Sequence, residues 1–249
     1  MPDPIPSTPS ALPAAKPPVF SAAQLVYLWL TSVCITSLLI ADIAGVKLFQ
    51  IHIFGLTVQH TCGMLTFPIT FLLNDLINEY YGPKAARRVI WIGLAMGFFV
   101  FIVNNIALAM PHWDVPFNIN PNSYSDVFAN SRVLYVASLA AYLVGSLADI
   151  TVFGWLKRLT GGRLVWLRAT GSTVISQFID SFIVTWLAFS VGRALFPTDA
   201  APMPFNEVLK TAATGYILKF VLAIALTPVI YLGRRIMTNQ FGLRPLPAQ

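Results

Sequence analysis

Charge is the first thing this chain is short of. Asp, Glu, Lys and Arg together make up 10% of its 249 residues, while 56% are hydrophobic and the mean hydropathy is +0.70. So few charges cannot coat a soluble domain of this size, which places the chain in a membrane. Cysteine is almost absent. Cys34 and Cys62 are the only two, too few to define a disulfide framework. Histidine is limited to His52, His60 and His112, all outside the apolar segments, and neither HExxH nor a Cys/His ligand spacing occurs. No metal site and no cofactor are therefore expected. Ser172 and Ser176 have no histidine base within their segments, which argues against intramembrane hydrolysis and against an enzyme. The opening MPDPIPSTPSALPAAKPPVF carries seven prolines and one Lys, without the basic start or apolar core of a signal peptide. It reads as a disordered tail over residues 1–20.

What is present is a series of six apolar segments: roughly Ala22 to Ile40, Phe67 to Tyr81, Val89 to Met110, Val133 to Phe153, Thr173 to Leu195 and Val208 to Leu232. They predict an all-α membrane protein of six transmembrane helices, one domain over 21–236, with 237–249 as a cytoplasmic tail. After the first span, Asp42, Gly45 and Lys47 are followed by short β-prone runs around Gly55. The helix should break there, as a re-entrant hairpin or an ordinary external loop. The formal charge of +6 is carried in clusters between the segments, which is an orientation signal and not a nucleic-acid face. Of the 16 Lys and Arg, eleven fall on one side (Lys16, Lys84, Arg87, Arg88, Lys157, Arg158, Arg163, Arg168, Arg234, Arg235, Arg244) and three on the other (Arg132, Arg193, Lys210). That bias predicts both termini in the cytoplasm.

The second segment, FPITFLLNDLINEYYG, holds Asn74, Asp75, Asn78 and Glu79 on one broad helical face. An ionisable group in a bilayer costs at least about 2.5 kcal/mol, so it faces a cavity, a counter-ion or a substrate. For Glu79 the alternative is a pairing with Arg87 or Arg88 at the interface. The fifth segment places Gln177 and Asp180 three apart beside Ser181. Gln donates and accepts while an ionised Asp only accepts, a combination suited to nitrogen heterocycles; for Gln177, helix-to-helix bonding is the competing role. Lys47 and Lys219 are candidate partners for Asp42, Asp75, Asp149 or Asp180, with snorkelling open to Lys219. Asp42, Lys47 and Asp149 are assigned to ion pairing or gating, Asp149 being equally compatible with an interface role. Phe71, Trp91, Trp186 and Tyr216 are candidates to line the cavity, with Phe71 or Trp186 favoured for stacking on a flat ring. Ala137, Ala141 and Gly145 form a small-residue stripe that suits a docking face or a homodimer seam.

The blocks FPITFLLNDLINEYYGPKAARRVIWIG and LRATGSTVISQFIDSFIVTWLAF resemble the queuosine precursor transporter family, which is related to vitamin uptake transporters. The resemblance runs from Ala41 to the end of the sixth segment and leaves the Pro-rich tail outside. It implies a bacterial inner-membrane importer of 7-cyano-7-deazaguanine and 7-aminomethyl-7-deazaguanine, salvaged into queuosine-modified tRNA, working without an obligate ATPase. A deazaguanine presents N1–H and a 2-amino group as donors beside O6 as acceptor. Asp75 or Asp180 would take the donors, and Asn74, Asn78 or Gln177 the remaining polar atoms. The alternative is a vitamin-binding membrane subunit of an energy-coupling-factor importer with another substrate. A purely structural protein would leave the polar clusters unexplained.

Overall fold

A computed structural model describes residues 20–53, 56–129, 132–161, 165–195 and 201–247. Helix α1, Ala22–Ala44, starts at a capping box in which Ser21 and Gln24 bond each other's backbone N–H. Strands β1, Leu48–Ile53, and β2, Leu56–Thr61, follow as an antiparallel hairpin with Leu48 opposite Thr61. A 3-10 turn over Cys62–Leu65 then leads into α2, Phe67–Tyr81. The expected break after the first span is thus a hairpin. It returns across the end of α1, where a Cβ on Gly63 would lie 2.5 Å from the Ala41 carbonyl oxygen. Only glycine allows so close a crossing.

Helix α3 spans Pro83–Ala109, the short α4 Pro121–Phe128, α5 Arg132–Leu159 and α6 Val165–Trp186. The last continues through a π-helical stretch, Leu187–Val191, into α7, Gly192–Leu195, and α8 runs over Phe205–Asn239. Among the described residues five helices are long and apolar enough to cross a membrane. The sixth, α2, is 15 residues, about 22 Å at the helical rise, shorter than the roughly 30 Å hydrocarbon core. Its depth is completed by the hairpin and the 3-10 turn. The fold is the expected all-helical membrane bundle of six principal helices.

Helix α2 is the inner element. It packs against α1, α3, α5, α6 and α8, and from Leu73 to Tyr80 every residue is buried. The outer helices turn their large apolar side chains outward, as with Trp29 at 72% exposure and Ile106 at 57%, so lipid receives the hydrocarbon and the interior keeps the polarity. At one end the bundle is tied together by Tyr27 donating to the Ala85 carbonyl and Tyr81 to that of Ala23. The segment after α8, expected as a tail, folds back to the same end: the Leu246 N–H donates to the Glu79 carbonyl at 2.9 Å. The proposed disordered stretch lies outside the described residues except for exposed Phe20.

Candidate substrate cavity

Asp75 reaches the functional region because α2 carries its polar face into the middle of the bundle. It lines a cavity with Phe67, Phe71, Leu72, Thr173, Gln177 and Lys219, between α2, α6 and α8. Phe71 is 3% exposed, Gln177 4% and Asp75 3%. Opposite Asp75, Lys219 of α8 donates to Asp180 of α6 at 2.5 Å and stands 5.1 Å from the centre of the Phe67 ring. Of the four carboxylates open to Lys219, the structure selects Asp180. The cavity volume is about 20 Å³, room for a water or two. That is too small for a bicyclic ligand, and the Asp180–Lys219 pair links α6 to α8 beside it.

Several polar atoms here have no protein hydrogen-bond partner among the described residues: both oxygens of Asp75, Oε1 of Gln177, both amide atoms of Asn74 and Nδ2 of Asn78. Buried polar groups are almost always paired, and each orphan raises the energy of the unliganded site. The Asp75 carboxyl lies against that of Asp149 on α5. Asp149 is fully buried and accepts from Ser176 Oγ at 3.0 Å, with Ser172 and Asn74 also beside it. Gly145 brings α5 close to α6 on the neighbouring turn, where a Cβ would meet the Asp180 Cβ at 3.2 Å.

Other expected residues lie elsewhere. Glu79 is buried at the bundle end, 3.0 Å from Lys157 Nζ and 3.7 Å from Arg234, while Arg87 and Arg88 are exposed. Its partners are supplied by α5 and α8 and not by the adjacent loop. Asp42 accepts from Ser138 at 2.6 Å and lines a second cavity with Asn104, Asn105, Arg132 and Tyr135. Lys47 is exposed and no carboxylate among the described residues pairs with it. Trp186, at 42% exposure, stacks on Phe182, and Trp91, at 55%, faces outward; neither is brought to the cavity. Tyr216 meets Phe178 edge to face. Ala137, Ala141 and Gly145 are buried inside the bundle, so the small-residue stripe serves internal packing and is not available as a dimer seam. Thr173, Phe67 and the Ser172–Ser176 pair were not singled out as site residues by sequence. The signal was present: 173, 177 and 180 recur at helical spacing.

A family model described as "Putative vitamin uptake transporter" matches residues 61–233, which include every residue named in the cavity between α2, α6 and α8. The chain belongs to this family. A protein of Bacillus subtilis named "Probable queuosine precursor transporter" is 28% identical over 191 residues, covering 76% of this chain and 77% of its own. A Haemophilus influenzae protein of the same name is 30% identical over 159 residues, 64% of each chain. An Escherichia coli "Queuosine precursor transporter" is 28% identical over 142 residues, 57% of this chain and 61% of its own. No solved structure matches. The chain is a multi-pass membrane protein of the vitamin uptake transporter family, a transporter and not an enzyme.

Proposed function

We propose that this transporter imports 7-cyano-7-deazaguanine and 7-aminomethyl-7-deazaguanine across a bacterial inner membrane, for salvage into queuosine-modified tRNA. The observation that carries the reading is the cavity itself. Unpartnered oxygens of Asp75 and Gln177 stand beside the Phe71 ring, and an openable Asp180–Lys219 pair closes the other side. A deazaguanine brings N–H donors for the carboxylate, an O6 acceptor for an amide or ammonium, and a flat face for the ring. The relatives' names point to the same chemistry. Residues 21–236 form the transport unit, with both termini cytoplasmic as the basic-residue bias indicates, and no ATPase subunit is required.

The test is the queuosine content of tRNA in cells that cannot make deazaguanines, fed a nanomolar precursor with and without this protein. Protein-dependent queuosine supports the reading. Its absence, with the protein verified in the membrane, moves the substrate to another vitamin. Copurification of an ATPase module would then mark the chain as a substrate-binding subunit.

A further inference from the structure

The transport reading uses Asp75 but leaves its neighbour Asp149 without a task. Two carboxyl groups from different helices meet here, at 3% and 0% exposure. Neither Asp75 oxygen nor Oδ2 of Asp149 receives a hydrogen bond from any donor among the described residues. The cations nearest the site are committed elsewhere: Lys219 of α8 to Asp180 of α6, and Lys157 of α5 with Arg234 of α8 to Glu79 of α2. From α1, Asp42 is held by Ser138, and the basic Lys84, Arg87 and Arg88 of α3 are all exposed. No cation among the described residues is left to neutralise the pair.

Two like charges in contact in a low-dielectric interior cannot both persist, and such pairs hold one proton between them. The surroundings decide which partner carries it. Asp149 receives the Ser176 hydroxyl and stands beside Ser172, so it is the better supplied with donors of the two. Asp75, at the cavity wall with only the Thr173 hydroxyl beside it and no hydrogen bond formed, is the partner that holds the proton and gives it to Asp149. Its second oxygen then remains an acceptor toward the cavity.

We propose that Asp75 and Asp149 form a shared-proton site, and that the cavity ligand binds only to the singly protonated pair, so that proton and ligand travel together. This rests on the cavity being the substrate site. When the pair loses its proton to solvent through the cavity, two bare carboxylates face each other behind the ligand, and the ligand's N–H groups do not offset that repulsion. An inward proton gradient then drives accumulation of a neutral heterocycle without an ATPase.

The test uses the purified full-length protein in two measurements. Calorimetric titration with 7-cyano-7-deazaguanine, in buffers of different ionisation enthalpy, should show affinity falling by about tenfold per pH unit once the pair deprotonates. About one proton should be taken up per ligand in that range. Affinity that is flat from acid to alkaline pH overturns the proposal. Infrared difference spectra at neutral pH, without ligand, should show a protonated-carboxyl stretch that is lost in the Asp75→Asn/Asp149→Asn double variant. An identical carboxyl band in that variant, shown by circular dichroism to be folded, also overturns it. Failure of the wild-type protein to bind the deazaguanine at any pH defeats the substrate reading, and the infrared comparison still decides whether the pair holds a proton.

Discussion

At the scale of single residues, the interior separates carboxylates with an assigned cation from carboxylates without one. Glu79 has Lys157 and Arg234, and Asp180 has Lys219, whereas Asp75 has another acid beside it and no cation among the described residues. Breaking a buried pair leaves an uncompensated charge and costs about 3–5 kcal/mol. Glu79→Ala, which strands two cations, should therefore lower the midpoint of thermal unfolding in detergent more than Lys157→Ala, which leaves Arg234 in place. Asp75→Ala and Asp180→Ala should act on transport. Losing a hydrogen-bond partner to a ligand costs about 1.5–3 kcal/mol, or about ten- to a hundredfold in affinity. Precursor uptake at subsaturating concentration should fall accordingly at normal membrane abundance; unaltered uptake by either variant would refute its assignment.

At the scale of elements, the α2–α3 junction and the α6–α8 seam do different work. Gly82 sits at φ 86° and ψ 170°, a conformation essentially reserved for glycine, and Pro83 opens the next helix immediately. That turn sets how α2 enters the bundle. Gly82→Ala should destabilise the fold by about 1–3 kcal/mol, read as a lowered unfolding midpoint, with the Leu246 side chain 3.2 Å from the new Cβ adding to the strain. The α6–α8 seam is instead the place that the proposed import requires to open. Thr170 and Thr227 bring their hydroxyls to 3.4 Å across it, and Pro228 removes a hydrogen bond from the α8 ladder at the same level. In a background lacking Cys34 and Cys62, Thr170→Cys with Thr227→Cys should form a disulfide on oxidation that stops uptake, with reduction restoring it. Uptake undiminished in the fully oxidised protein would show that the ligand enters by another route.

For the whole molecule, the charged and amide side chains of α2, α5 and α6 are held inside an otherwise apolar core, while Trp29, Trp91 and Ile106 are exposed where lipid would meet them. The basic ends of α5 and α8, the α2–α3 turn and the returning 240–247 segment gather at one end of the bundle. If that end is cytoplasmic, a cysteine at exposed Asn118 in the α3–α4 connection should react with an impermeant maleimide in intact cells. One at exposed Gln240 should react only after permeabilisation. The reverse pattern would invert the assigned topology.

Much of this was determined by the sequence alone. The bounds of α2, Phe67–Tyr81, follow from Pro68 at its start, Gly82 at its end and the apolar run between, all local signals. Scarcity of charge dictated the membrane, and the cost of carboxylates in a bilayer pointed to Asp75 and Asp180. Tertiary structure decided who meets whom. Asp75 faces Asp149 from 74 positions away, and Glu79 takes Lys157 and Arg234 instead of the nearby Arg87 and Arg88. Trp186, nine residues after Gln177 and so on the far side of the same helix, turns outward to Phe182. Periodicity tells which residues share a face of one helix. Which faces meet is set by the packing of six helices, where a single glycine such as Gly145 decides how closely two of them approach.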